Sequence, residues 1–332
     1  MPDEIRIALA GDTMLGRGVA EQLRSDPLVP LLAPEVVEVV GEADLFILNL
    51  ECCISERGEP WPDPRKPFFF RAPPVAAAFL GNLGVDCVTL ANNHALDFGP
   101  TALVDTLDLL AEAGVAVVGA GRTVAEARRP VMIDRGGFRL QIVALTDHPR
   151  DYDAGEDRPG VAYADLGTGV PGWALEAIGT SASDAVLVSP HWGPNMTGSP
   201  VPHVRRAAAE FVERGAALVA GHSAHVFHGA SRHVLYDLGD FLDDYAVDPV
   251  LRNDLGMLFL VDLSSTGPRR VEAVPLALDY CHTRLAAGDE GGWIRARFAR
   301  ACAELGTEVH TVDGRVVLNW ADTEGSASVQ HP

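Results

Sequence analysis

Residues 88–99 constrain the fold of this chain most, because an apolar, β-branched run ends abruptly in polar residues before a helical pattern begins. Residues 88–90 predict a buried strand, the Asn-Asn-His run 92–94 follows it, and residues 101–113 have helical spacing. In α/β proteins, ligands bind beyond the carboxyl ends of strands. Asn and His offer lone pairs to a metal ion, and His also transfers protons. An Asn-rich turn that caps the helix is the alternative interpretation.

Strand and helix patterns alternate along the chain to about residue 220, and strand patterns dominate afterwards. This order predicts an α/β fold in which two sheets pack against each other with helices outside. We expect a single domain over residues 1–321 with a tail at 322–332, and a separate C-terminal domain is the alternative. The predicted strands cover residues 5–10, 44–50, 86–90, 115–118, 131–133, 139–145, 185–189, 217–220, 233–237, 256–263 and 271–276. The predicted helices cover residues 34–40, 75–83, 101–113, 173–180, 204–214 and 292–305.

The charge of the chain limits its partners. Its formal net charge is −20, with an isoelectric point near 4.8. Nucleic acid is therefore excluded as a main partner, because contacts to phosphates need Lys and Arg side chains. An anionic small molecule stays possible, because a metal ion or a local basic cluster overrides the global field.

The sequence also predicts where the protein works. No stretch is apolar for long enough to cross a membrane, and the N-terminus lacks the basic-then-apolar layout of a signal peptide. The five cysteines include the adjacent pair Cys52 and Cys53 but no Cys-x-x-Cys spacing. We therefore expect reduced thiols in a cytoplasmic protein. A redox or ligand role for Cys52 is the alternative, because it follows a candidate metal ligand.

Five predicted strand ends finish in residue types that bind metal ions. They are Asp12, then Asn49 with Glu51, Asn93 with His94, His191, and His222 with His225. Mixed oxygen and imidazole ligands suit zinc, manganese or iron, and argue against a soft thiolate site. A carboxylate such as Glu51 is able to bridge two ions, and such a pair polarises a phosphoryl or acyl oxygen and activates water.

Six motifs in this order resemble the CapA family of poly-γ-glutamate capsule biosynthesis proteins, which are related to calcineurin-like metallophosphoesterases. The motifs are Gly-Asp-x-Met-Leu-Gly-Arg, Asn-Leu-Glu-x-x-Ile, Ala-Asn-Asn-His-Ala-Leu-Asp-x-Gly, His-Trp-Gly, Gly-His-x-x-His-Val and Tyr-x-Leu-Gly-x-Phe. They span roughly residues 5–245. The resemblance implies a four-layer α/β/β/α sandwich of the metallo-dependent phosphatase type, with one or two divalent ions at one edge of the sheets.

The resemblance also implies a role for each matching residue. Asp12 and His225 are implied as ligands of the first metal, Glu51 as the bridging carboxylate, and Asn93, His191 and His222 as ligands of the second metal. His94 takes the place of the proton-donating histidine, Asp97 orients it, and Arg17 reaches the anionic group of the substrate.

Several positions depart from the family pattern. Met14 stands where the phosphoesterases have a histidine ligand, so the first metal site is expected to be weak or empty. Asn195 replaces a glutamate, Asp240 replaces an asparagine, and His228 replaces a glutamine. These changes predict a substrate unlike that of the typical capsule protein. Asp240 and His228 either supply additional ligands and acid–base groups or only support the site.

A second set of residues is predicted to bind the substrate. Arg65, Lys66 and Arg71 form a positive cluster in an acidic protein, which suits a carboxylate or phosphate; a solvated loop is the alternative. Trp192 and the run 68–70 either form the wall of a pocket or belong to the core. The predicted substrate-binding set is Arg65, Lys66, Arg71, Trp192, Asn195, His228 and Asp240.

Two functions follow from these residues. The first is a hydrolase that uses a metal-activated water on a phosphoester or γ-glutamyl-type amide bond of a small anionic or peptide-like substrate. The second is a non-catalytic, accessory role in the synthesis of a poly-γ-glutamate-type polymer, in which the site binds an acidic chain. The missing histidine at Met14 favours the second function.

Overall fold

The computed structural model describes residues 3–26, 29–180 and 182–320, so the predicted tail lies outside the described residues. The strands are Glu4–Thr13 (β1), Leu45–Leu50 (β2), Cys53–Ile54 (β3), Arg71–Ala72 (β4), Cys87–Thr89 (β5), Ala116–Val118 (β6), Ala120–Gly121 (β7), Val131–Arg135 (β8), Phe138–Thr146 (β9), Gly160–Val161 (β10), Ala185–His191 (β11), Leu218–Ala220 (β12), Ala230–Ser231 (β13), Val234–Leu235 (β14), Asp240–Leu242 (β15), Leu255–Ser264 (β16), Gly267–Asp279 (β17), His282–Leu285 (β18), His310–Val312 (β19) and Arg315–Asn319 (β20). The α-helices are Arg17–Ser25 (α1), Pro34–Val40 (α2), Val75–Asn82 (α3), Gly99–Glu112 (α4), Val124–Ala127 (α5), Gly172–Gly179 (α6), Pro202–Arg214 (α7) and Gly288–Ala303 (α8).

Two large sheets organise the molecule. The larger sheet has the strand order β19-β20-β17-β16-β1-β2-β5-β6, with β15 paired to β1 and β18 paired to β17. The smaller sheet has the order β13-β14-β12-β11-β9-β8. Strands β1, β2, β5 and β6 run parallel, as do β9, β11, β12 and β14. The carboxyl ends of parallel strands meet at one edge of a sheet, which is where polar side chains of distant segments come together.

The burial pattern shows that the two sheets face each other. In β2, Leu45 and Ile47 pack into a core shared with Leu140 and Ile142 of β9. The alternate residues of β2 pack against the helices α1 to α4, and those of β9 pack against α6 and α7. Strands buried on both faces are apolar at nearly every position, as the sequence of β2 is. The layers are therefore α/β/β/α, which confirms the predicted fold class.

Most predicted elements are present with shifted ends. The hairpin predicted near residue 136 is formed by β8 and β9, with a turn at Gly136 and Gly137. The predicted strand 233–237 shortens to Val234–Leu235, and the helix predicted from residue 292 already begins at Gly288. Among the described residues, no helix is long and apolar enough to cross a membrane.

Strand β1 continues past its predicted end at residue 10, because it gains a second partner. Its register with β2 shifts between Ala10 and Asp12, and Asp12 then pairs with Asp240 of β15. A Cβ on Gly11, which lies in this bulge, would sit 1.8 Å from the carbonyl oxygen of Gly239. Bulges of this kind re-aim side chains next to functional sites, and here the bulge brings Asp12 to the edge.

We expect Gly11→Ala to lower the free energy of unfolding by about 3 kcal/mol, because the added methyl group forces two backbones apart. Gly292→Ala is the matched control, since the Cβ there meets nothing within 4 Å and the residue lies inside α8. In that control we expect the free energy of unfolding to rise by about 1 kcal/mol, because alanine has a higher helix propensity than glycine. Denaturant unfolding of both variants measures the difference, and equal stability would contradict the tight crossing of Gly11 and Gly239.

Candidate metal centre and aromatic recess

The parallel strands deliver carboxylates and imidazoles to one edge of the two sheets. Asp12 lies at the end of β1, Glu51 directly follows β2, and His191 ends β11. His222 follows β12, and its backbone forms a bridge with that of His191. Four chain segments that are far apart in the sequence therefore meet at one point, as the strand-end pattern predicted.

Two groups of side chains could each hold a cation, and both contain Asp12. Ligand atoms of Asp12, Glu51 and His191 lie within 4.8 Å of one another, as do those of Asp12, His225 and Asp240. The Nδ1 atoms of His222 and His225 each lie 3.4 Å from a carboxylate oxygen of Asp12. Asp12 therefore belongs to both groups, and Glu51, the expected bridging carboxylate, lies 4.0 Å from Nε2 of His191 and 3.8 Å from Nδ1 of His225.

Several buried polar atoms of this edge lack hydrogen-bond partners among the described residues. Such atoms include both carboxylate oxygens of Glu51, both ring nitrogens of His191, Nδ1 of His222, Oδ1 of Asn93 and Oδ2 of Asp240. A buried polar atom without a partner costs about 1–3 kcal/mol. Their concentration at one point is explained by a divalent cation, because oxygen and imidazole donors are the ligands such ions prefer. The residues present therefore fit a metal ion.

Burial and neighbouring charges shift the pKa values at this edge in opposite directions. Burial and the charge of Asp12 raise the pKa of Glu51 well above its usual range. Burial also acts to raise the pKa of Asp12, but the imidazole of His222 at 3.4 Å and the charges of the other two histidines outweigh it, so its pKa is lowered. Burial lowers the pKa of His191 well below its usual value. Asp12 therefore stays ionised and His191 neutral, which are the forms that bind a cation.

Asn49 supports Asp12, a role that the sequence did not single out. Its Nδ2 donates to Oδ1 of Asp12 at 2.8 Å, and its Oδ1 accepts from Thr89 at 2.9 Å and from Asn92 at 3.0 Å. Asn92 in turn accepts from the backbone N–H of His94 at 3.0 Å. The strand-end position of Asn49 was the available signal, and this chain of hydrogen bonds links the metal centre to His94.

The turn that carries His222 and His225 has a strained backbone. Ser223 has a φ of 110° and His225 a φ of 58°, which are uncommon for residues other than glycine. Asp237 holds the turn, because its carboxylate accepts from the N–H of Ala224 at 2.8 Å and from that of Gly239 at 2.9 Å. No sequence pattern pointed to Asp237, since its contacts depend on how the turn folds.

His94 and Asp97 form a second buried pair beside the metal centre. Nδ1 of His94 lies 2.7 Å from Oδ2 of Asp97, which also accepts from the N–H of Phe70 at 2.6 Å. Nζ of Lys66 lies 2.8 Å from the other oxygen of Asp97. Burial lowers the pKa of His94, although the charge of Asp97 opposes this shift. Asp97 therefore holds the ring through Nδ1 and not through Nε2.

A recess of about 320 Å³ opens beside these residues, and we call it the aromatic recess. Its lining includes Arg17, Phe68, Phe70, Met196, Tyr245, His94 and His225. The guanidinium of Arg17 is 5.2 Å from the ring centre of Phe70, 5.6 Å from that of Tyr245 and 5.7 Å from that of Phe68. The Phe70 ring lies 4.2 Å from the His94 ring, centre to centre. The recess therefore joins an aromatic wall to His94 and to the candidate ligand His225.

The predicted positive cluster is divided in the structure. Lys66 lies at the site, where it binds Asp97 and donates to the carbonyl oxygen of Asn93 at 2.8 Å. Arg65 is 87% exposed and pairs with Asp63. Arg71 donates to the carbonyl oxygens of residues 57 and 58 and stacks on Phe98. The lining of the aromatic recess includes neither arginine.

The remaining predicted substrate residues occupy different environments. Trp192 is buried in the core under the smaller sheet, and its Nε1 donates to the carbonyl oxygen of Tyr236 at 3.0 Å. Asn195 lines the aromatic recess and donates to Nε2 of His225 at 3.2 Å. Asp240 accepts from Nδ1 of His225 at 2.8 Å. His228 instead lies in a separate small cavity, where its Nε2 donates to the carbonyl oxygen of Thr197 at 2.7 Å.

Met14 and Cys52 are both buried in the core. The Sδ atom of Met14 accepts from the N–H of Gly16 at 3.0 Å, which turns the chain into α1. Burial raises the pKa of Cys52 well above its usual value, and all five cysteines are buried and unpaired. An inert thiol is expected from such an environment.

The pH dependence of stability offers a test of the buried His228. Burial lowers its pKa to about 4, whereas an unfolded histidine titrates near pH 6.5. Between these values the unfolded state binds more protons than the folded state. The contribution of neutral His228 to the free energy of unfolding is therefore present above pH 6.5 and is lost as pH falls toward 4. We expect the metal-free wild type to lose up to about 3 kcal/mol relative to His228→Gln between pH 7 and pH 4. Denaturant unfolding with chelator present measures this difference, and parallel profiles for the two proteins would contradict it.

The fold and this edge define a class of protein: an α/β/β/α sandwich with a buried carboxylate–histidine site at its strand ends. The model of the bacterial capsule synthesis protein family PGA_cap matches residues 6–245. The chain belongs to this family, which confirms the resemblance to CapA.

Known proteins similar to this chain carry related names. A probable polyglutamine synthesis accessory protein of Mycobacterium tuberculosis is 30% identical over 93% of this chain and 94% of its own length. The PGA biosynthesis protein CapA of Bacillus subtilis is 24% identical over 82% of this chain and 72% of its own. Among solved structures, a putative 5′-nucleotidase from Staphylococcus aureus in complex with alpha-ketoglutarate aligns with a TM-score of 0.48 and 14% identity, over 89% of this chain and 58% of that one.

Proposed function

We propose that this chain is a metal-dependent hydrolase that cleaves a phosphoester or a γ-glutamyl-type amide bond in a small anionic or peptide-like substrate. The observation that carries the proposal is the group of buried, partnerless ligand atoms beside the His94–Asp97 pair. An ion with only a structural role would account for the ligand atoms. It would not account for His94, a buried histidine that is oriented by a carboxylate and lines a recess, as suits a group that transfers protons.

The side chains of the edge have distinct parts in this proposal. In this proposal Asp12, Glu51, His191, His225 and Asp240 would hold the metal, since they form the two groups at the edge. Asn93 and His222 would be the further ligands that the resemblance implies. A bound Mn, Fe or Zn ion supplies Lewis acidity and lowers the pKa of a water molecule. Asn49 and Asp237 keep the ligands in place through the hydrogen bonds described above.

His94 supplies the proton for the leaving group. Asp97 holds the ring through Nδ1, so that Nε2 serves the reacting atoms in the recess. Asp97 itself is fixed by Lys66 and by the backbone N–H of Phe70. General acids of this kind contribute about 10²–10⁴-fold to a rate.

An accessory, non-catalytic role is the second candidate. Met14 favours it, because this side chain is fully buried in the core and offers no ligand to the first metal. The M. tuberculosis relative is named as an accessory protein. In this alternative the site binds an acidic polymer, and a separate ligase forms the bonds.

Elemental analysis with a substrate screen decides between the two candidates. Protein purified without added metal is assayed for bound ions and for turnover of phosphoesters and γ-glutamyl amides. We expect one or two ions per chain and turnover of one substrate class, with turnover and most of the bound metal lost in His191→Ala. Metal-free protein that binds polyglutamate as tightly as loaded protein, without turnover in either form, would favour the accessory role.

A further inference from the structure

The aromatic recess lies where a leaving group must lie if the proposed function is correct. Both the proton donor His94 and the candidate ligand His225 line it. A substrate whose reacting group is held at the metal centre therefore directs the atom that accepts the proton, and everything attached to that atom, into the recess. The walls of the recess then decide which leaving groups are accepted.

The charge of Arg17, the cation of the recess, is already neutralised. Its Nε donates to Oδ2 of Asp244 at 3.1 Å, and its Nη2 donates to the other carboxylate oxygen of the same residue. Asp244 is almost fully buried. A second carboxylate in the recess thus gains little from Arg17 and meets the field of Asp244. The recess does not suit a chain of glutamates.

Apart from the two histidines and the amides of Asn195 and Asn253, the remaining lining of the recess is aromatic or apolar. Phe68 and Phe70 lie nearly parallel, 12° apart, with ring centres separated by 6.4 Å. Tyr245 packs on Phe70 at 5.6 Å and edge-on to His225 at 5.3 Å. Phe68 is 55% exposed and lines the recess, so much of its side chain is open to contact with a ligand. Rings in such positions gain free energy by stacking on another ring.

We propose that the substrate carries an uncharged aromatic leaving group, which stacks in the aromatic recess while its anionic reacting group lies at the metal centre. The inference rests on the proposed function and favours a phosphoester over a γ-glutamyl bond to another glutamate, whose leaving group carries carboxylates. In the reaction, the oxygen of water bonds to phosphorus and the bond to the leaving oxygen breaks with its electron pair on that oxygen. The leaving oxygen takes the proton of His94, and the proton released by the water restores the donor.

Binding of three non-hydrolysable phosphonates to the full chain tests the inference without catalysis. The probes are benzylphosphonate, n-butylphosphonate and 4-carboxybenzylphosphonate, titrated by calorimetry with and without Mn²⁺. We expect benzylphosphonate to bind about tenfold more tightly than either of the other two. In Phe68→Ala, we expect the ratio of the affinities for benzylphosphonate and n-butylphosphonate to fall toward one. Val250→Ala is the control and keeps the wild-type ratio, because Val250 is 80% exposed and lies outside the recess.

The outcomes separate this inference from the proposed function. Metal-dependent binding with no benzyl preference, or with the carboxylated probe bound best, overturns the inference and leaves the metal-dependent site standing. A benzyl preference that Mn²⁺ does not change supports the recess and counts against the hydrolase. Absence of binding of all three probes in both conditions overturns both. A wild-type preference for benzyl that Phe68→Ala retains overturns the placement of the aromatic group in this recess.

Discussion

Adding Mn²⁺ at about a thousand times its dissociation constant raises the free energy of unfolding of the wild type by about 4 kcal/mol, and Glu51→Gln removes most of this gain. Both carboxylate oxygens of Glu51 are buried without a hydrogen-bond partner among the described residues. A bound cation supplies the missing partner, and only the folded chain assembles the ligands, so binding stabilises the folded state. The amide of glutamine carries no charge and keeps one oxygen, which weakens the site.

Without metal, the order of stability of the wild type and Glu51→Gln is reversed. Burial and the charge of Asp12 raise the pKa of Glu51 in the folded state. The folded state therefore binds more protons than the unfolded state above pH 4.3, so this residue makes the wild type less stable as pH rises. Without metal, the stability of Glu51→Gln lacks this dependence on pH. Near neutral pH we expect the variant to be more stable than the wild type by at least about 1 kcal/mol.

Denaturant unfolding with Mn²⁺ or with chelator, at several pH values, measures both effects. Glu56→Gln is the matched control, because it makes the same chemical change at an exposed position. A variant that keeps the full metal-dependent gain would place the ion elsewhere. A metal-free Glu51→Gln protein several kcal/mol less stable than the wild type would show that Glu51 serves the fold instead of the ion.

The sequence was sufficient to predict that these carboxylates and imidazoles meet, because they follow strands with a strong apolar pattern. Asp12, His191 and His222 each stand at the end of such a strand, and parallel strands align their carboxyl ends. The position of Asp12 between two ligand groups was not predictable, since it depends on the bulge at Gly11 and on the pairing with Asp240.

The recess was less predictable, because the sequence does not distinguish an aromatic residue in a core from one in a pocket. Trp192 and Phe68 were both candidates for the wall of a pocket, yet Trp192 is in the core and Phe68 is 55% exposed. Arg17 and Asp244 are separated by 227 positions in the chain, so no local pattern reveals that the charge is neutralised. Arg65 and Lys66 carry the same charge, but Arg65 is 87% exposed and pairs with Asp63, whereas Lys66 reaches the buried Asp97. The sequence does not show which of the two reaches the site.

We expect His94→Gln to lower kcat for benzyl phosphate by about 10²–10⁴-fold at unchanged metal content. His94 belongs to neither ligand group, so its loss leaves the metal centre assembled. The leaving oxygen of benzyl phosphate is strongly basic and needs a proton as it departs. The leaving oxygen of 4-nitrophenyl phosphate is weakly basic, so the same variant loses much less activity on that substrate.

The comparison with Asp97→Asn separates proton donation from a structural role. The charge of Asp97 raises the pKa of His94 against the larger effect of burial. Without that charge, His94 loses its proton at a lower pH, so the alkaline fall of the kcat–pH profile moves to lower pH. In His94→Gln the same fall is absent. Equal losses on both phosphates in His94→Gln, or a profile unmoved by Asp97→Asn, would mean that another group protonates the leaving oxygen.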